Sequence, residues 1–329
     1  MPTVRKITVT PVFGLPEPFT DKDDFGSKDL PFEIWPSVFL SDVREQMKGM
    51  DLTLWAREYL SKHDVEKIQG WRYALVHHYT EEQYLHGDAE LQSRDLLHKI
   101  FIGLRIVRAS RTPWQYLHAR IEQNGSLDAS GFSRAEMPLT VLHCDLWAPI
   151  RRNDAGLLKT IVPALLVAYD TNCEPITRAM RVLEMGYISP FADVKQLLWV
   201  TGLEALFTSA KYSGAAVLIY RLRQFLGSKT RVYEPADFHV GVTVPSLTLK
   251  NVLPDIYTVR NRLAHGEWIP SSFLNRPGYS GGAKSYADIL VEATGIVLRR
   301  ALIKIFKESL LETFTDKDRL DRYFSHVTS

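Results

Sequence analysis

A chain of 329 residues with 45% hydrophobic side chains and a net charge of +2 can bury a large core, which excludes the disordered and fibrous classes. That charge neither demands nor excludes nucleic acid, so any phosphate-binding surface must come from local clustering. Two cysteines, Cys144 and Cys173, are too few for a disulfide framework or a zinc knuckle and read as small buried residues in a reducing compartment.

Residues 4 to 13 alternate through Val4, Ile7, Val9 and Val12 and predict a strand, followed by a Pro/Gly/Asp-rich connection through Pro31. Short helices are expected at Ser41 to Lys48 and Leu52 to Lys62. A strand is expected at Gln69 to Thr80, where Trp71, Tyr73, Leu75 and His77 alternate. Asp88 to Arg108 carries Leu91, Leu96, Leu97, Ile100, Leu104 and Val107 at helical spacing until Thr112-Pro113 stops it; this helix suits either an N-terminal sheet or a following bundle. Trp114 to Glu122 reads as a strand, Gly125 to Phe132 as a turn or loop, and Pro138 to Trp147 as extended.

From Gly156 onward the strong segments are helical: Leu157 to Tyr169, Glu174 to Met185, Phe191 to Thr208, Gly214 to Leu226, Leu247 to Ala264 and Tyr286 to Ser309, with Phe238 to Val244 as one ambiguous extended piece. The fold class expected is mainly α: an α+β recognition or sensor region over 1–150, then a helical bundle over 151–329. The N-terminus, Met-Pro-Thr-Val-Arg-Lys, has no apolar signal region. The longest apolar stretch, Leu157 to Tyr169, is broken by Lys159 and Pro163 and is too short to span a bilayer. A cytoplasmic location without a membrane partner is expected.

The stretch Tyr257-Thr-Val-Arg-Asn-Arg-Leu-Ala-His-Gly266 carries the chemistry. Arg260 can hold a scissile phosphate, His265 can move a proton near neutral pH, and Asn261 can orient them; no metal and no cofactor is then needed. Spacing alone does not single it out, since Arg72 and His77 have the same separation. Context does, because Asn251 to Ala264 has helical apolar spacing and Gly266 stands where a helix C-cap belongs. On a wheel of ~100° per residue Ile256, Val259 and Leu263 make one stripe, with Arg260 at its edge. Such an arginine needs a carboxylate or a phosphate, and Glu204 is the one charge in the apolar run Leu197 to Phe207. If that pair is well buried, breaking it costs on the order of 3 kcal/mol.

Leu203-Glu-Ala-Leu-Phe207, Tyr220-Arg-Leu-Arg-Gln-Phe-Leu226 and Tyr257 to Gly266, in that order and on helices, resemble the HEPN superfamily, nearest its ApeA-like branch, over about residues 155 to 310. The resemblance implies a helical bundle that dimerises and a metal-independent endoribonuclease, with Arg260 and His265 as catalytic pair, Asn261 as the polar residue between them and Glu204 as a supporting acid. It also implies a toxin or antiviral-defence setting, with single-stranded RNA or tRNA as substrate and an antitoxin or trigger as partner. Degenerate members of the family only bind RNA, nucleotides or proteins. One Arg, one Asn and one His supply a single proton-transfer group where transesterification needs two, so a homodimer that pairs two copies of the motif across a two-fold axis is expected.

The structural alternative is that Arg260 merely pairs with Glu204 while His265 and Gly266 finish a helix. Gly278-Tyr-Ser-Gly-Gly282 matches the Gly-x-Ser-x-Gly elbow but lacks the strand before it and the helix after it. His77-His78 and His143-Cys144-Asp145 lack metal-ligand spacing. Arg300, Lys304 and Lys307 fall along one side of the last long helix, beside Arg299, and offer a weak RNA-backbone surface; a solvated face is the favoured explanation. Trp71, Tyr73, Trp114 and Tyr116 suit base stacking or a strand core.

Overall fold

The computed structural model describes residues 4–11, 29–42, 73–84, 88–108, 115–121, 127–134, 152–233, 247–274 and 285–325. The expected helix Leu52 to Lys62, the extended pieces Pro138 to Trp147 and Phe238 to Val244, and the Gly278 to Gly282 loop lie outside the described residues. The described chain is mostly helical with an antiparallel sheet in its N-terminal part. It forms two compact units, Met1–Pro138 with Leu146–Pro163, and Leu139–Asp145 with Ala164–Ser329.

In the first unit β1 (Arg5–Pro11), β2 (Phe32–Trp35), β3 (Val38–Asp42), β4 (Tyr73–Thr80), β5 (Gln115–Ile121) and β6 (Leu127–Arg134) form one sheet in the order β2-β3-β4-β1-β5-β6. Every neighbouring pair is antiparallel. Helix α1 (Ala89–Val107) starts where Asp88 accepts the backbone N–H groups of Glu90 and Leu91. It packs on this sheet, with Ser93 against His77 of β4 and Glu90 paired to Lys6 of β1 at 3.3 Å.

Strand β1 is paired on both edges and buried on both faces: Ile7 and Val9 on one, and Lys6, Thr8 and Thr10, on the side where α1 packs, on the other. A buried polar face must satisfy itself internally. Thr8 lies in register with His77 on one side and His118 on the other, so three neighbouring strands bring polar side chains to the same level of one face. Thr8 Oγ1 donates to the Tyr79 hydroxyl at 3.2 Å and lies 3.0 Å from His118 Nδ1. His77 Nδ1 sits 2.8 Å from Ser93 Oγ. Burial, with His78 beside it, pushes His77 down to about 4, and burial pushes Tyr79 up to about 12.

Two expectations fail here. Gly125 to Phe132 was expected as a loop, yet Leu127–Arg134 is β6. Its Gly and Ser residues carry no apolar alternation, and strand conformation comes from pairing with β5 across a register shift at His118/Ala119. Ser41 and Asp42 were expected to open a helix and instead close β3, paired with Ala74 and Tyr73; the rest of Ser41 to Lys48 is outside the described residues. The hairpin that makes β2 and β3 turns at Pro36-Ser37, with Ser37 at φ 64°.

Helix α2 (Arg152–Asp170) gives its residues up to Pro163 to the first unit, where Asp154 accepts from Arg108 at 2.5 Å. The second unit continues with α3 (Glu174–Ile188), α4 (Ala192–Phe207), α5 (Ala215–Leu226), α6 (Leu249–Ala264), α7 (Ser271–Leu274), α8 (Tyr286–Lys307), α9 (Leu311–Thr315) and α10 (Lys317–Ser325). A two-stranded ribbon, β7 (Arg231–Tyr233) with β8 (Leu247–Thr248), takes the two residues expected to begin α6.

Helix α4 is apolar nearly all round because α3, α5, α6 and α8 surround it. Trp199 fills the space between α3 and α8, and its indole N–H donates to the Leu183 carbonyl at 3.0 Å. Gly186 and Gly295 make that room, since a Cβ would stand 2.1 Å from Trp199 Nε1 at the first and 2.9 Å from its ring at the second. The two short C-terminal helices, not foreseen, close the far end of α4. Arg221 donates to the Phe207 carbonyl at 3.1 Å and to Asp321 at 2.6 Å, and Phe207, Phe225, Phe314 and Phe324 form an aromatic cluster beneath.

The neutral burial of His77 sets a pH dependence. Between its ordinary value and about 4 the unfolded chain binds a proton that the folded chain refuses, so stability falls as pH falls through that window, by up to about 3 kcal/mol from this residue. Urea unfolding followed from pH 7 to pH 4.5 should show this decline, and a shallower one in His77→Gln; equal slopes would contradict the assignment.

Candidate functional site

Helix α6 enters the bundle on Leu249, Val252, Leu253, Ile256 and Val259, all buried at helical spacing. Pro254 removes the N–H that would bond the Lys250 carbonyl, and Arg223 supplies a replacement donor at 2.8 Å. Buried Gln196 of α4 donates to the Ile256 carbonyl at 3.1 Å and accepts from Thr294 of α8 at 3.0 Å, while Tyr286 donates to Asp255 at 2.8 Å. These polar contacts fix the rotation of α6 about its axis, and so the edge on which the next turns place their side chains.

At that edge Arg260 meets Glu204 of α4. Its Nη2 lies 3.0 Å from Oε1 and 3.1 Å from Oε2 of the carboxylate, and its Nη1 donates to Asn261 Oδ1 at 3.1 Å. Tyr257, one turn earlier, donates its hydroxyl to Glu204 Oε1 at 3.0 Å, and its ring lies under the guanidinium, 5.5 Å from it. Burial, then the bond to Glu204 and its charge, raise the Tyr257 phenol, so it stays a donor through the neutral range. Among the described residues, the bonds to Glu204 and Asn261 leave the Arg260 Nε–H and one Nη1 proton without an acceptor. Tyr257 was not singled out from sequence, although its i,i+3 spacing to Arg260 was the available signal.

His265 is the C-cap of α6, exposed, at φ −95° and ψ 6°. Gly266 follows at φ 71°. The Glu267 N–H bonds the Arg262 carbonyl at 2.8 Å and the Gly266 N–H bonds the Leu263 carbonyl at 3.1 Å, the two bonds of a Schellman cap. Among the described residues no hydrogen bond or ion pair joins the His265 ring to the Arg260 cluster. Asn261 is the link, touching Arg260 and lying one turn before His265. The structure thus brings Glu204, Tyr257, Arg260 and Asn261 together and leaves His265 at the rim.

The basic row on α8 is partly engaged. Arg300 donates to the Arg231 carbonyl, and Lys304 donates to the Phe225 carbonyl at 2.6 Å while lying over that ring, so the two hold β7 and the end of α5. Lys307 is exposed. Tyr116 is buried at 3% exposure, and Trp71 and Trp114 lie outside the described residues. Among the described residues there is no cluster of His, Cys, Asp and Glu able to hold a metal, and no helix long and apolar enough to cross a membrane.

No family model, curated protein or solved structure matches the chain.

The side chains of Arg260 and Glu204 are 27% and 23% exposed, so solvent screens the pair and its loss costs less than for a fully buried one. Glu204→Gln should lower stability by about 1–2 kcal/mol, and Tyr257→Phe by about 1 kcal/mol. Because both changes act through one carboxylate, the double variant should lose less than the sum; additive losses in denaturant melts would show that the contacts are independent.

Proposed function

We propose that the second unit is a metal-independent endoribonuclease of the HEPN type, acting on single-stranded RNA or tRNA. The observation that carries this reading is Arg260, held by Glu204, Tyr257 and Asn261 with donors to spare, on the same helix that His265 caps. The ribose 2′-hydroxyl attacks the adjacent phosphorus and gives its proton to a neutral imidazole. Arg260 balances the charge that builds on the phosphoryl oxygens, and the 5′-oxygen leaves with a proton from an imidazolium. The products are a 2′,3′-cyclic phosphate and a free 5′-hydroxyl.

Acid and base act in one step, and each chain offers one His265 at its rim. A homodimer with two α6 ends facing across a two-fold axis supplies both, which is the assembly this reading requires. A toxin or defence role, with the N-terminal unit recognising a trigger or antitoxin, fits a nuclease that must be held in check. The prior engagement of Arg260 by Glu204 favours one other reading, a non-catalytic module in which the same cluster binds RNA, a nucleotide or a protein partner.

RNA should be cut in the presence of a chelator, and His265→Ala should slow cutting by 100-fold or more. A folded wild type that leaves both single-stranded RNA and tRNA intact would favour the binding module. Mixing His265→Ala with wild type under subunit exchange should lower activity below the dilution line; a strictly linear loss would contradict the shared site.

A further inference from the structure

Trp268 is 92% exposed, the most exposed large apolar side chain among the described residues. Its exposure is not that of a loose loop. The Schellman cap and the Arg262–Glu267 ion pair, at 3.3 Å, tie the chain down just before it. After it, the Phe273 N–H bonds the Pro270 carbonyl at 2.9 Å and the Phe273 ring stacks on Tyr286 with centroids 6.2 Å apart. A tethered indole is thereby held out into water, three residues beyond His265, so their Cα atoms are at most about 11 Å apart.

The surroundings select the kind of ligand. On the His265 side of the indole, Ala264, His265, Gly266 and Glu267 are all exposed and small or polar; on the other side Ile269, Pro270 and Phe273 are half-buried and Leu274 is 43% exposed, so it is toward His265 that the indole borders no apolar residue of its own segment. A protein partner needs a contiguous surface of roughly 800 Å² per side, whereas an unpaired base needs one flat ring and a nearby cation for its phosphate. Arg260 and Arg262, paired to Glu204 and Glu267 but each partly exposed, provide cations within the same two turns. Resting on the ribonuclease reading above, we infer that Trp268 is a substrate-binding residue that stacks on an unpaired RNA base and so sets which phosphate reaches Arg260 and His265. The site therefore takes single-stranded segments and tolerates sequence, because every base has a face to stack.

The test uses the full chain and a fluorescein-labelled, unstructured 2′-O-methyl oligonucleotide, which binds but cannot undergo 2′-attack, read by anisotropy. Trp268→Ala should weaken binding by about 5- to 150-fold, and Trp268→Phe should retain most of it. Scanning one abasic position along the oligonucleotide should find a position that weakens wild type and costs Trp268→Ala nothing further. Equal affinity of Trp268→Ala and wild type, with RNA cleavage by wild type intact, would overturn the stacking assignment alone. So would a shift of Trp268→Ala toward monomer in sedimentation with affinity per dimer unchanged, which would make the indole a protein contact. A wild type that neither binds the oligonucleotide nor cuts RNA would overturn this assignment and the ribonuclease reading together.

Discussion

One carboxylate, the lone charge in the apolar run Leu197 to Phe207 of α4, organises the site of the second unit. Glu204 is half-buried on α4 between the fully buried Leu203 and Leu206, and a carboxylate in that position requires donors. Tyr257 and Arg260 of α6 supply them, and Arg260 in turn orients Asn261. The ion pair is one of three ties that give α6 a single rotation and register, together with the Gln196 bond to the Ile256 carbonyl and the Tyr286 bond to Asp255. Its partial exposure matters as much as its presence, for a fully buried guanidinium could not meet a ligand and a fully exposed one would not be aligned.

The same economy explains the two ends of α6. Its N-terminal half carries a proline whose missing N–H is replaced by Arg223, and its C-terminal end is closed by a Schellman cap at Gly266. Both are local solutions to unsatisfied carbonyls. The ring of His265 itself is left to the solvent, beside a cluster already assembled without it. One such imidazole per chain, where the proposed chemistry needs an acid and a base, is why it calls on a second copy.

The parts legible in the sequence are those where the local pattern and tertiary demand agree. The long helices of the second unit follow their apolar spacing, and Glu204 with Arg260 was readable because a lone charge in an apolar run has few places to go. Failures fall where tertiary pairing overrides local signal. Strand β6 is Gly- and Ser-containing and strand-like only because β5 lies beside it; β2 and β3 are short and follow a Pro/Gly/Asp-rich stretch that reads as connection. The sequence predicts β1 as a strand, but not that α1 covers its polar face, where Thr8 bonds Tyr79 and His118 while His77 bonds Ser93. Tyr257 reads as an ordinary packing residue until the position of Glu204 is known. Trp268 was not singled out from sequence, and its exposure separates it from Trp35 and Trp199, the other described tryptophans.

Analysis of the ends of the cleaved RNA tests the central claim most directly, because it reports which atom attacked the phosphorus. Internal attack by the 2′-hydroxyl, with Arg260 and His265 in the roles assigned, leaves a 2′,3′-cyclic phosphate on one fragment and a 5′-hydroxyl on the other. Mass spectrometry of the fragments should find that pair of ends. A 5′-phosphate with a free 3′-hydroxyl would mean that activated water was the nucleophile, and would contradict the account.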